Sequence, residues 1–525
     1  MKKLLVVTLL LFLGVGLSVS SAQTLVFGGS GLPVSLDDAT DGNSLTAAYQ
    51  IAENLVSVEP GGTELQPGLA TEWSSNEDGT VWTFKLREGV TFQDGTPFNA
   101  EAVKFNIDRW NDPDFEYGFR DEGKIYEAWG YVFGGYLGDE AAVVKEAKVI
   151  DETTLELDLN KPMGFLPAAM SSSYFGIHSP TAVKKAGADY GQPAVGSVGT
   201  GPFQFVEWVD GSQLTLERYP DYWGEPAKVE RLVFRGIEDS TARLAELQAG
   251  SIDIAVNLSP DDAQTIEDDP NLEAVTADSN LNIGYIGFHQ ANKPLDNLKV
   301  RQAIVHAVDW NEVVNAFFGD GAQVASQFIP PGLLGYSDDL EPYSYDPEMA
   351  KQLLSEAGVE GGFSTQMWYM PVSRPYFPSA EPVASAVASY LADIGIQAEL
   401  QTEDWGTYLD DNNTGKFPIY MLGWSADYAD PDNFVYTFFG SQEGVRNFGW
   451  DNAKVRNLLD QARQEPDEDT RAELYRQINQ IIYDQVPAIP VDHNPVLNAV
   501  RTGVEGFTPS PLGSTVPFST ISKSN

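Results

Sequence analysis

Three stretches of the chain share one local pattern: a helix closed by a glycine, in two cases followed at once by a short apolar strand. In "STARLAELQAGSIDIAVNL" the spacing predicts a helix through Leu247, a stop at Gly250 and the buried strand "IDIAV". In "SAEPVASAVASYLADIGIQAEL", Val383, Val387, Leu391 and Ile394 share one helical face, Gly395 breaks the helix and "IQAEL" follows as a strand. A third helix has Asp346 as its cap, Pro347 at its first position, Leu353 and Leu354 inward and Gly358 at its end. Helices alternating with short strands can bury their apolar faces only by layering, so the pattern predicts an α/β fold.

A different unit precedes them. "TVWTFKLREGVTF" sets Trp82, Phe84 and Leu86 on one face of a strand, between the turn signals Asp78-Gly79 and Asp94-Gly95. Asn99 then caps a helix whose Val103, Ile107 and Trp110 recur at helical spacing. A chain of 525 residues is too long for one compact core and predicts two or three domains. No internal repeat or low-complexity tract interrupts it.

Charge and cysteine usage narrow the setting. The formal charge of −44 repels phosphate backbones and anionic lipid surfaces, which argues against nucleic acid as a partner. Lys2 and Lys3 precede the apolar run "LLVVTLLLFLGVGL", and Ser20 and Ala22 stand at the −3 and −1 positions of a signal-peptidase site. Residues 1–22 therefore read as a cleaved secretory signal, with Gln23 opening the mature chain. The apolar run falls short of the ~20 residues that span a bilayer. Cysteine is absent, so the exported chain has no disulfide, no thiolate metal site and no cysteine for a lipid anchor.

Signatures of catalysis are scarce. Of the four histidines (His178, His289, His306, His493) none sits in HExxH, and neither GxSxG nor GxxxxGK[ST] occurs. "GWSADYADPDNF", residues 423–434, gathers Asp427, Asp430 and Asp432 behind Trp424. A calcium loop fails in either register: from Asp427, Ala429 falls at the third ligand position, and from Asp430, Phe434 falls at the fifth. Asp430, Asp432 and Asn433 read as turn formers or helix caps. Trp424, at the end of the apolar run Ile419 to Leu422, reads equally well as core or as pocket wall.

Most of the chain resembles the extracytoplasmic solute-binding proteins of peptide ABC importers, solute-binding protein family 5, and among them the periplasmic dipeptide-binding proteins. The resemblance rests on "GLATEWSSNEDGTVWTFKLREGVTFQDGTPFNAEAV", "VGTGPFQF", "NKPLDNLKVRQAIVHAVD", "YMPVSRPYFPSAEPVASAV", "MLGWSADYADPDNF" and "VPAIPV". It implies a two-lobed α/β fold of the Venus-flytrap type. Lobe I would comprise residues 23–280 and 499–525, with an additional subdomain at about 55–175, and lobe II residues 281–498.

In the dipeptide-binding members, "SRPY" and "GWSADYADPDNF" occupy positions that line the ligand cleft. The resemblance therefore implies that Asp427 receives a peptide ammonium and Arg374 a peptide carboxylate. Trp424, Ser425, Ala426, Pro375 and Tyr376 would supply backbone contacts and walls, and Thr40, in "DDATDG", a further contact. That division suits a receptor of many peptides, whose two charged ends are constant while side chains vary. An arginine fork offers a carboxylate two parallel hydrogen bonds. The resemblance further implies a monomer in the periplasm that holds a dipeptide or short peptide for an ABC permease, without cofactor or metal. Two alternatives stand beside it: the same fold binding another solute, such as glutathione or an oligosaccharide, and an extracellular hydrolase.

Overall fold

The structure is a computed structural model that describes residues 23–524 apart from 43, 44, 278–280 and 320. The expected signal sequence, residues 1–22, lies outside the described residues. No described helix is long and apolar enough to cross a membrane.

Two large sheets organise the chain. The first holds seven strands in the order Leu272–Val275, Asn498–Arg501, Ile254–Ala255, Thr24–Gly29, Arg231–Gly236, Gln213–Arg218 and Phe203–Val209. Thr24–Gly29 runs parallel to both neighbours, with Val26 opposite Val233 and Phe27 opposite Ile254. Alternate residues Leu25 and Phe27, Leu214 and Leu216, and Leu232 and Phe234 fill the core beneath it.

The second sheet holds six strands: Gln323–Val324, Ala488–His493, Asn282–Phe288, Ile419–Ser425, Phe363–Trp368 and Ile396–Gln401. Its strand Asn282–Phe288 is buried at every position, as befits a strand covered on both faces. Helices Leu298–Ala307 and Ala380–Asp393 send Val300, Ile304, Val383, Val387 and Leu391 into its core. Of the strands in these two sheets, those up to Val275 lie in the first, those from Asn282 to His493 in the second, and Asn498–Arg501 returns to the first.

A separate antiparallel sheet of four strands, Ala70–Ser75, Val81–Leu86, Thr154–Leu159 and Val144–Asp151, has its own core. Trp82, Phe84 and Leu86 are all buried in it, and the Asn99 side chain accepts from the Ala102 amide at the start of helix Ala100–Asn111. The three helix-to-glycine units form as expected, with Gly250, Gly358 and Gly395 at φ +75°, +79° and +91°. One differs in length: "IDIAV" contributes only the two-residue strand Ile254–Ala255, because the chain turns away at Asn257, whose φ is +54°.

Candidate functional site

Strand Ile419–Ser425 pairs antiparallel with Asn282–Phe288, placing Trp424 opposite Ile283 and Ser425 opposite Asn282. The Ala426 amide still donates to the Leu281 carbonyl at 2.8 Å, so Asp427 emerges where the strand ends. It emerges into a cleft of about 1760 Å³. The cleft is bounded by Leu45 and Asn257 from the seven-stranded body, Tyr131 and Tyr174 from the subdomain, and Arg374 and Asp427 from the six-stranded body. Of the residues expected at the site, Asp427, Arg374, Trp424, Tyr376, Pro375, Ser425 and Ala426 all line this one cleft. Thr40 does not: its hydroxyl donates to the Asp37 carbonyl at 2.6 Å, and Gly42, Leu45 and Thr46 form the wall from that segment.

Asp427 is a half-buried carboxylate whose hydrogen-bond partners are neutral. Its Oδ2 accepts from the Tyr131 hydroxyl at 3.2 Å and from Asn433 Nδ2 at 3.3 Å, and no cation stands beside it among the described residues. Burial pushes its pKa from 3.8 up to about 6, against the pull of those two hydrogen bonds. A carboxylate desolvated without a counter-charge is destabilised in its ionised form, and a ligand cation would relieve that.

Arg374 sits in a turn fixed from several sides. It and Phe377 exchange backbone hydrogen bonds of 3.1 and 3.0 Å, and Asn494 Nδ2 donates to the Pro375 carbonyl at 2.6 Å. The Tyr376 ring lies against Gly423, where a Cβ would come within 2.1 Å of it, so only glycine admits that contact. The Arg374 guanidinium stacks over Trp405 at 5.0 Å. A cation–π contact consumes none of the guanidinium's hydrogen-bond donors, and no carboxylate pairs with it among the described residues.

The remaining acids of the opening motif have other duties. Asp430 accepts two 2.7 Å bonds from Arg471 and also the Asp432 amide at 2.9 Å, so its expected turn role is joined by a buried bidentate ion pair. Asp432, in the first turn of helix Asp432–Phe439, faces Arg463 at 3.5 Å, while burial raises its pKa to about 6. Asn433 closes the turn through its backbone amide, which donates to the Asp430 carbonyl at 3.1 Å, but its side chain does other work. Fully buried, it turns its amide toward Asp427 and Trp424. Trp424 is both wall and core, with its ring edge-on to Tyr131 at 6.2 Å and to Phe438 at 5.9 Å.

Tyr131, Tyr174, Trp405 and Asn433 are cleft or supporting residues that sequence reasoning did not find. Only Asn433 carried a local signal, an amide at the start of an apolar helical run. Tyr131 meets Asp427 across 296 residues of chain.

Among the described residues one group, Asp37, Asp38 and His178, has the spacing of metal ligands. Arg109 and Lys124 reach the Asp37 carboxylate at 2.7 and 2.8 Å, and His178 is held between Asp38 and Tyr190, each at 2.9 Å. Burial opposes the charge on Asp37, yet the two cations outweigh it and hold the carboxyl below its ordinary range. Arg109 and Lys124 both pair with Asp37, while Asp38 is met by His178 and is pushed toward its neutral form by burial, so the group reads as an internal hydrogen-bond and ion-pair network. His493 is buried with Nδ1 on the Asn282 carbonyl at 2.7 Å, and burial lowers its pKa to about 4.

Residues 64–445 match the bacterial extracellular solute-binding proteins, family 5, in the middle region of that family. The chain is 34% identical over 507 residues to a dipeptide-binding protein of Escherichia coli (strain K12), covering 94% of this chain and 93% of that one. It is 32% identical over 508 residues to heme-binding protein A of Haemophilus influenzae, covering 94% and 91%. A crystal structure of a dipeptide-binding protein from Pseudoalteromonas sp. SM9913 in complex with Met-Leu superposes with a TM-score of 0.86 at 28% identity, over 96% of this chain and all of the other. The two α/β bodies flanking a cleft are thus the two lobes of a periplasmic binding fold, and the chain belongs to the bacterial extracellular solute-binding proteins of family 5.

Proposed function

We propose that this protein captures dipeptides or other short peptides between its lobes and delivers them to the permease of an ABC importer. One observation carries the reading: Asp427 and Arg374 line the same cleft, and neither has an ion-pair partner among the described residues. An anion and a cation held apart in one cleft complement a zwitterion, with the ammonium at Asp427 and the carboxylate at Arg374. Relatives named for dipeptides and a neighbour complexed with Met-Leu support this choice over glutathione or an oligosaccharide.

Residues 23–280 with 499–525 form lobe I in this proposal, and 281–498 form lobe II. Ligand bridging the lobes shifts them toward a closed state that a permease distinguishes from the open one. The protein acts as a monomer in the periplasm after removal of residues 1–22, and it is a carrier rather than a hydrolase. Native mass spectrometry of protein purified from cells, with identification of the ligand released on unfolding, tests the reading. A short peptide is expected, and recovery of haem, glutathione or a sugar instead would overturn it.

A further inference from the structure

We propose that Asn433 is the positioning residue of the ammonium site, holding the Asp427 carboxylate in its ligand-facing orientation without neutralising it. The inference rests on the peptide reading above and concerns how one of its two anchors is built.

The geometry fixes the roles of the amide. Asn433 Oδ1 lies 2.9 Å from the Asp427 backbone nitrogen and 3.1 Å from Trp424 Nε1. Both of these groups only donate, so the atom between them must be the amide oxygen, and Nδ2 must be the atom 3.3 Å from Asp427 Oδ2. One fully buried side chain therefore grips Asp427 by its backbone and by its carboxylate, and grips the neighbouring wall residue Trp424 as well. The Tyr131 hydroxyl reaches the same oxygen, Oδ2, at 3.2 Å. Both side-chain bonds thus fall on Oδ2, which leaves Oδ1 to meet an ammonium.

The chemistry of the clamp matters as much as its shape. A lysine or arginine at this position would hold the carboxylate but cancel its attraction for a ligand cation. An amide holds it and leaves the full charge. The groups facing Asp427 from the subdomain are Tyr131 and Tyr174, and from its own turn Tyr428, none of them cationic. The Asn433 bond also favours the ionised form against burial.

Titration calorimetry with alanyl-alanine, its N-acetyl form and its C-terminal amide, from pH 5 to 8, tests this on wild type, Asn433→Asp and Asn433→Ser. Wild type should prefer the free over the acetylated peptide at pH 7. Both variants should lose roughly tenfold to a hundredfold of that preference, the worth of one hydrogen bond to a charged group. The pH midpoint of affinity should move upward, more in Asn433→Asp, while the preference for free over amidated C-terminus stays at the wild-type ratio. Should one variant fail to fold, the other carries the comparison, with circular dichroism confirming its fold. A variant that keeps both the N-terminal preference and the pH midpoint would overturn the positioning role, as would equal weakening toward all three peptides. A wild-type protein indifferent to N-acetylation would instead overturn the assignment of Asp427 itself, a separately readable outcome.

Discussion

If Asp427 holds a ligand ammonium as proposed, binding and folding pull in opposite directions at this residue. Its pKa rises from 3.8 to about 6 because burial disfavours the carboxylate. A group whose folded pKa exceeds its unfolded one supports the fold fully below the unfolded value and loses that support as pH rises through the folded value. The ligand-free protein should therefore lose stability from this group between about pH 4 and pH 6. Asp427→Asn should raise the melting temperature of the ligand-free protein at pH 7 and leave it nearly unchanged at pH 4, where the native side chain is already neutral. A thermal melt at each pH checks this, and equal shifts at both would contradict it.

In the proposed peptide reading the same titration controls binding, because an ammonium requires the ionised form. Peptide affinity should fall as pH drops through about 6, by up to about tenfold per unit once Asp427 is mostly protonated. Calorimetry from pH 5 to 8 reads the midpoint. Asp427 and Arg374, which line one cleft, were singled out through the family resemblance of "GWSADYADPDNF" and "SRPY", since locally an aspartate in such a loop reads as a turn former and an arginine as a surface ion pair. Trp405 and Tyr131 were not, since a stacking platform and a hydrogen-bonding wall are defined by partners brought together only in three dimensions.

At the scale of elements, the "DYADPDNF" segment is held from the other side of its turn. Arg471, on helix Glu468–Gln485, ties down Asp430 with two bonds of 2.7 Å, and both residues are buried. Removing one partner of such a pair leaves an uncompensated buried charge, so Arg471→Ala should cost about 3–5 kcal/mol of stability. Chemical denaturation measures it, and a loss below about 1 kcal/mol, the worth of a surface pair, would contradict the buried role. Helices closed by Gly250, Gly358 and Gly395 could be read from the chain because cap, apolar spacing and left-handed glycine are all local. The order of strands could not. Asn498–Arg501 enters the first sheet between Ile254–Ala255 and Leu272–Val275, a pairing set by distant segments.

For the whole molecule, contacts join the six-stranded body to the core of the four-stranded sheet. Tyr428, one residue beyond Asp427, is buried in the subdomain core and stacks on Phe165 at 6.1 Å, while Arg463 donates to the Val132 carbonyl. Ligand that adds to these contacts should compact the protein, read as a smaller radius of gyration in solution scattering. It should also raise the melting temperature, since binding to the folded state alone contributes about 2.7 kcal/mol at a hundred times Kd. Scattering unchanged at saturating peptide would contradict closure. The two-lobed plan itself came from the resemblance of long segments, not from periodicity, which reports layers but not how many bodies they form.

Calorimetric titration of the wild-type protein, Asp427→Ala and Arg374→Ala with a free dipeptide, its N-acetyl form and its C-terminal amide is the most direct test that a zwitterion is held by its two ends. Wild type should bind the free dipeptide best and lose affinity when either end is blocked. Asp427→Ala should abolish only the preference for a free N-terminus and Arg374→Ala only that for a free C-terminus. Each should lose about 2–5 kcal/mol, roughly thirtyfold to several-thousandfold. Equal losses toward all three peptides, or a wild-type protein indifferent to both blocks, would contradict the account.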